Sequence, residues 1–171
     1  MKRLSAIGVL AAAIAAFAGC GYHLARRGTE IPADVRTLAI PVFENQTYEP
    51  GVEDLVTDAL IQEFHRHHWV RIVAARDADA VLNGIVRDFT TIPIAFATVD
   101  FAVEYRASAK CSIVLKSKDG KTLWRDDDVS VDEDYRANPD IFQSEGNKRR
   151  AIQQLAADLA EEVHDRIFNG F

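Results

Sequence analysis

Apolar residues occupy every odd-numbered position from Val99 to Leu115, and this alternation constrains the fold more than any other feature of the chain. Most even-numbered positions in the same stretch are polar or charged. Successive side chains of a β-strand point to opposite faces of a sheet, so the pattern predicts a long antiparallel strand with one buried face. Cys111 falls on that face, where its thiol is expected to pack as a small apolar group.

A return strand is predicted directly after this stretch, because Asp119-Gly120 is a typical two-residue hairpin turn. The segment Thr122–Val131 is therefore expected to pair with the long strand. A strict two-residue turn would place Asp126 and Asp128 on the apolar face, where unpaired carboxylates are costly to bury. We therefore expect a bulge near these two residues, or a strand that leaves the core at this point.

Two stripes of apolar residues at helical spacing predict two helices. The first stripe runs from Val52 to Phe64 and the second from Ile152 to Ile167, and each defines one apolar helix face. The second helix is expected to begin near Ser144, whose hydroxyl suits the N-cap position.

The remaining segments after residue 34 are assigned to short strands and connections. Predicted strands are Val35–Val42, Trp69–Val73 and Val81–Phe89, and predicted loops are Glu44–Gly51 and Glu133–Gln143. The stretch Thr90–Thr98 is apolar but contains Pro93, so it is expected to be a strand end or a loop that exposes apolar groups.

Together these elements predict an α+β fold over residues 35–171. The first strand, helix and strand imply a right-handed parallel crossover, and the hairpin adds antiparallel strands. We expect a two-layer domain with a mixed, mostly antiparallel sheet of four to five strands and two helices packed on one face. The opposite face of the sheet is then left to water or to a partner.

The N-terminal residues have the composition of a secretion signal. The apolar run from Leu4 to Ala18 follows a basic start and is shorter than the ~20 residues that a membrane-spanning helix needs. Ala18-Gly19-Cys20 resembles the bacterial lipobox, in which the leader is cut before the cysteine and acyl chains such as palmitate are attached there. We therefore predict a signal peptide at residues 1–19 and a lipidated N-terminus with its tether at residues 20–34, in which Cys20 carries the lipid and Gly21–Asp34 form the tether. An ordinary secreted protein is the alternative.

The charge balance without residues 1–19 excludes some classes of partner. Those residues hold two basic and no acidic side chains, so the remaining 152 residues carry 18 basic and 26 acidic ones. This acidity argues against nucleic acid as a partner, because phosphate neutralisation dominates that binding. With Cys20 lipidated, Cys111 is the only other cysteine, and an intramolecular disulfide is excluded.

Catalytic and metal-binding patterns are absent from the sequence, so we do not expect an enzyme. His65 and His68 lie one turn apart, but without a second ligand cluster they fit a helix end better than a metal site. The acidic run between Asp126 and Asp134 lacks the spacing of a calcium-binding loop. We expect no cofactor or metal apart from the covalent lipid on Cys20.

Basic residues on the predicted exposed sheet face are candidate ligands for phosphate groups. Arg87, Arg106 and Lys110 fall on strands that are expected to be neighbours, and Arg125 lies on the return strand. Arginine and lysine bind phosphate through charge-assisted hydrogen bonds. The alternative is a solubilising surface in which nearby acidic residues such as Glu104 balance these charges.

Several stretches resemble one family of bacterial envelope proteins. They are CGYHL at Cys20–Leu24, Ile31-Pro32, IPVFENQTYEPGVE at Ile40–Glu53, Leu82-Asn83-Gly84 and GKTLW at Gly120–Trp124. Their order along the chain is similar to that of the lipopolysaccharide-assembly lipoproteins of the LptE family. The stretch Ile40–Glu53 is the most specific part of this likeness, which covers nearly all of the chain after Cys20.

The resemblance implies a lipid-anchored protein on the periplasmic side of the outer membrane. LptE-like proteins form a plug inside the β-barrel LptD, assist its assembly and help to insert lipopolysaccharide into the outer leaflet. On this basis Arg87, Arg106 and Lys110 become candidate lipopolysaccharide-binding residues. The alternative function is that of a periplasm-facing lipoprotein that binds and activates a peptidoglycan synthase or a similar envelope protein. The tether of only 14 residues argues against that alternative, because an extended chain spans at most ~3.5 Å per residue.

Overall fold

The computed structural model describes residues 35–98 and 101–169, so the predicted signal peptide, Cys20 and the tether lie outside the described residues. Two α-helices, one short 3-10 helix and six strands form this part of the chain. In chain order they are β1 (Thr37–Ala39), β2 (Glu44–Asn45), α1 (Val52–His67), β3 (Arg71–Ile72), the 3-10 helix (Ala75–Asp77), β4 (Ala80–Thr98), β5 (Phe101–Ser117), β6 (Thr122–Arg136) and α2 (Ile141–Asn169).

The strands form one mixed sheet in the order β3-β1-β4-β5-β6, with β2 also pairing with β4. The long strands β4, β5 and β6 pair with one another in antiparallel fashion, whereas β1 is parallel to both β3 and β4, and β2 is parallel to β4. The predicted α+β class and the parallel pairing of the strands that flank α1 are confirmed. The sheet has one more strand than expected in the described residues, because the two residues of β2 pair with β4 at Ile85 and Val86.

Both helices pack on the face of the sheet that carries the odd-numbered residues of β5. Ala107, Ala109, Cys111, Ile113 and Leu115 are all inaccessible to solvent. The predicted stripes of both helices are buried against this face, as expected from their spacing. Burial raises the pKa of the Cys111 thiol to about 12, so the thiol behaves as a small apolar group.

The predicted bulge in the return strand is confirmed. Ile113 lies opposite Asp126, but Cys111 lies opposite Val129, so β6 carries one extra residue between these two pairs. The bulge restores apolar residues to the helix-facing side of β6. Asp126 remains at the rim of the core, where the Arg166 guanidinium of α2 donates a hydrogen bond to it. The carboxylate is therefore paired rather than buried alone.

Several boundaries differ from the sequence-based expectations: β1 and β3 are shorter than the predicted Val35–Val42 and Trp69–Val73, and β2 lies in a predicted loop. The stretch Thr90–Thr98 is the end of β4, which is one of the two structures expected for it, whereas β6 extends to Arg136 into the expected loop. The last helix begins at Ile141 and not near Ser144, because the Asp140 carboxylate accepts hydrogen bonds from the backbone N–H groups of Phe142 and Gln143 at 2.8 and 3.3 Å. Neither helix in the described part of the chain has the length and apolar character required to cross a membrane.

Candidate functional site

The face of the sheet opposite the helices is lined by the even-numbered residues of β5 and their cross-strand neighbours. We call it the open face and define it by Arg87 on β4, Arg106, Lys110 and Ser112 on β5, and Arg125 on β6. The predicted neighbourhood of the basic residues is confirmed, because β4 and β6 flank β5 on either side. The alternation that buries one face of β5 therefore places its polar residues together on the other.

Carboxylates of β6 pair with most of the basic residues on the open face. Arg106 donates two hydrogen bonds to Asp134, with its Nε 2.7 Å from Oδ1 and its NH2 group 2.9 Å from Oδ2. These bonds lower the pKa of the Asp134 carboxyl and raise that of the Arg106 guanidinium. The Lys110 Nζ lies 3.9 Å from Asp128, a looser pair on the exposed surface.

Arg125 is held in the same way beside the centre of β5. Its Nε lies 2.8 Å from Oδ2 of Asp127, whose Oδ1 accepts a 2.6 Å hydrogen bond from the Ser112 hydroxyl. Hydrogen bonds from Arg125 and Ser112 lower the pKa of the Asp127 carboxyl. Much of the positive charge on the open face is thus balanced by β6, and the surface is polar without being strongly basic.

Arg87 differs from the other basic residues of the open face because it makes no hydrogen bond or ion pair within the described residues. It lines a shallow hollow of about 500 Å³ together with Ser112, Lys116 and Arg125. Glu44 lines the same hollow, so the charge there is mixed. The hollow can hold an anionic group such as a phosphate. The Arg87 guanidinium can donate hydrogen bonds to that group without first breaking an ion pair with a carboxylate.

The far end of β4 adds exposed apolar side chains to the open face. Ile92, Ile94 and Phe96 alternate along the strand and are 52%, 39% and 55% exposed. Ile92 lies directly opposite Arg106 on β5, so their side chains share one face. The expectation that Thr90–Thr98 is a strand end that exposes apolar groups is confirmed.

Arg87, Arg106 and Lys110 lie on adjacent strands as predicted, but the carboxylates that pair with Arg106 and Lys110 were not predicted. The acidic run of β6 was the available signal, because alternate residues of that run face the basic residues of β5. To predict which carboxylate pairs with which basic residue, one must know the register of β5 and β6, including the bulge.

Comparisons with solved structures find the same fold in bacterial lipoproteins. A lipoprotein B from Nitrosomonas europaea aligns with a TM-score of 0.57 and 8% identity, covering 86% of this chain and 90% of that one. The rare lipoprotein B from Shewanella oneidensis aligns at 0.54 and 15% identity, covering 77% and 93%. The PelC dodecamer from Paraburkholderia phytofirmans aligns at 0.51 and 15% identity, covering 81% and 92%. At these identities the likeness shows the fold alone.

Sequence comparisons give a more specific result. No curated protein matches the chain at a significant level. The model of one protein family, described as LptE, lipopolysaccharide-assembly, matches residues 35–167. The match covers β1 to β6 and nearly all of α2.

Proposed function

The chain belongs to the lipopolysaccharide-assembly family LptE, and on that premise we propose that it acts as a plug-like partner of an LptD-type β-barrel in the outer membrane. In this role it assists assembly of the barrel and insertion of lipopolysaccharide into the outer leaflet, and it catalyses no reaction. Acyl chains on Cys20 hold it on the periplasmic side of the membrane. The observation that carries the proposal is the sheet with one face left open by both helices.

The chemistry of the open face supports contact with the interior of a barrel. Barrel lumens of this kind are polar, and a partner that fits inside one needs a polar surface without a large unbalanced charge. The cross-strand pair of Arg106 with Asp134 and the pair of Arg125 with Asp127 within β6 give the open face that character. The apolar end of β4 adds a smaller exposed hydrophobic patch that a partner could bury.

Recovery of the partner from membranes tests the docking role. The tagged full chain is expected to bring down an LptD-type barrel from outer membranes that have been solubilised in detergent. Ser108→Trp places a bulky side chain between Arg106 and Lys110 on the open face and should lower the barrel's recovery. Gln153→Trp adds the same side chain to an exposed position of α2 and serves as the matched control. Recovery of a peptidoglycan synthase in place of a barrel would contradict the proposal and favour the alternative function.

Arg87→Glu is expected to weaken binding to lipopolysaccharide micelles by about tenfold, because a hydrogen bond to a charged group contributes about 1.5–3 kcal/mol. Arg106→Glu and Lys110→Glu should each cause a smaller loss, since these side chains already bind Asp134 and Asp128 and lipid phosphates must compete with those carboxylates. Titration of labelled lipopolysaccharide, followed by fluorescence anisotropy, measures each affinity.

Arg71→Glu provides the matched control for this charge reversal. Arg71 is exposed on β3 at the edge of the sheet and does not line the hollow. Its affinity for lipopolysaccharide should stay close to that of the unmodified chain. An equal loss in Arg71→Glu and Arg87→Glu would mean that net charge alone governs binding, and unchanged binding in Arg87→Glu would remove that residue from the site.

A further inference from the structure

Two histidines and a glutamate meet where α1 ends against the last turns of α2. Glu63 and His67 lie one turn apart on α1, and His164 lies on α2. One ligand atom from each of the three side chains falls within 4.8 Å of the other two. Glu63 and His164 are both 4% exposed, whereas His67 reaches the surface. The cluster lies on the helical layer and is separate from the open face.

The imidazole of His164 is incompletely satisfied in this position. Its Nε2 is buried and has no hydrogen-bond partner among residues 35–98 and 101–169, and its Nδ1 lies 3.3 Å from Asp165 Oδ1. Buried polar atoms without a partner are rare in proteins, because burial removes their bonds to water. Phe168 contacts the ring at a centroid distance of 4.7 Å, and the His67 ring stacks on it at 4.1 Å. Aromatic neighbours offer His164 no strong acceptor.

The existing contacts of Glu63 explain only part of the cluster. Its carboxylate oxygens lie 2.8 Å from Nε2 of His67 and 2.9 Å from the exposed Arg66. These two ion pairs compensate the negative charge of the buried Glu63 carboxylate, but neither of them involves His164. Two imidazoles and one carboxylate that converge on one point form a donor set typical of zinc and related ions.

We propose that Glu63, His67 and His164 bind one divalent transition-metal ion, with Zn²⁺ as the ion that best fits two imidazoles and a carboxylate. A tetrahedral zinc ion holds its ligand atoms about 2.0–2.2 Å from itself and therefore about 3.3–3.5 Å from each other. The ligand atoms now lie within 4.8 Å of one another, and the His67 side chain is 40% exposed, so it has room to adjust toward that spacing when an ion binds. Because the three side chains supply three ligands, water would complete a tetrahedral site.

The ion would join α1 to α2 at the end of the helical layer. Glu63 and His67 contribute from one helix and His164 from the other, so binding connects two elements that otherwise meet through side-chain packing. The site is independent of the proposed function of the open face, and either proposal can fail without the other.

Calorimetric titration of the chelator-treated full chain in detergent with Zn²⁺ tests the site. One equivalent of Zn²⁺ is expected to bind, and Co²⁺ in the same site should give the visible absorption bands of a tetrahedral complex. His67→Gln removes an exposed ligand without disturbing the core and should weaken Zn²⁺ binding by at least about tenfold. His164→Gln should have the same effect and abolish the Co²⁺ bands.

His65→Gln is the matched control, since His65 is an exposed histidine of α1 outside the cluster. It should leave both the affinity and the Co²⁺ bands unchanged. Equal losses in His65→Gln and His67→Gln would show that surface histidines bind the ion without a defined site. Zn²⁺ binding that is unchanged in His67→Gln, or absent from the unmodified chain, would overturn the proposal.

Discussion

Replacing Gly84 by alanine is expected to destabilise the fold by about 3 kcal/mol, near the upper end of what an overpacked core usually costs. A Cβ atom at this position of β4 would lie 2.0 Å from Cε2 and 2.3 Å from Cζ of Phe43, far inside van der Waals contact. The ring of Phe43 is 3% exposed and belongs to the core, so it has little space into which to move. The Phe43 backbone N–H also donates a 3.1 Å hydrogen bond to the Thr57 hydroxyl of α1. Urea denaturation gives the free energy of unfolding.

A double variant identifies Phe43 as the cause of this loss. Phe43→Ala alone should cost about 3–5 kcal/mol by leaving a cavity. In the double variant the clash is gone, so adding Gly84→Ala to Phe43→Ala should cost far less than adding it to the unmodified chain. Gly146→Ala on α2 is the matched control, because a Cβ there meets nothing within 4 Å and a helix favours alanine over glycine. Additive losses for Gly84 and Phe43 would contradict the contact.

The elements that the sequence predicted well are those with strong burial on one side. The alternation from Val99 to Leu115 sets which face of β5 is buried, and the two helical stripes follow from the same requirement. The bulge near Asp126 could also be predicted, because the hairpin register placed two carboxylates on the apolar face and their burial would have been costly.

The elements that were missed depend on neighbours distant in the chain. Pro93 left a strand end and a loop both open for Thr90–Thr98, and the structure decides for the strand because this end of β4 pairs only with β5 in the described residues, where proline is tolerated at an edge. The strand β2 has only two residues and no pattern of its own. The start of α2 was misplaced because Asp140 and Ser144 are both good caps by type, and only the hydrogen bonds of Asp140 distinguish them.

In the candidate sites too, the contacts between residues distant in the chain could not be predicted from the sequence. The basic residues of the open face were visible in the sequence because they alternate with buried ones on β5. Their acidic partners depend on a register that a single extra residue on β6 shifts. Glu63 and His67 are one helical turn apart, but His164 lies almost 100 residues later, and only the packing of α2 on α1 brings it beside them.

Replacing Cys20 by serine is expected to abolish binding of the mature protein to membranes. Each buried methylene of an acyl chain contributes ~0.8 kcal/mol, and two or more chains give stable anchoring where one chain gives only reversible binding. Serine at residue 20 offers no thiol to receive the diacylglycerol, so the predicted anchor would be lost entirely. Flotation of purified protein with phospholipid vesicles measures the bound fraction in the absence of any protein partner that would retain the chain. We expect nearly all of the unmodified protein to float and nearly all of the variant to stay at the bottom of the gradient.

Cys111→Ala separates this effect from a general loss of a cysteine. Cys111 is inaccessible to solvent and its replacement removes only a small buried group, so this variant should float like the unmodified protein. Mass spectrometry of the mature N-terminus gives a second measure, because lipidation requires a chain that starts at an acylated Cys20. A mature chain that begins elsewhere, or a Cys20→Ser variant that still floats, would contradict the anchor. If Cys20→Ser no longer floats but still brings down the barrel, docking of the open face does not require the lipid anchor.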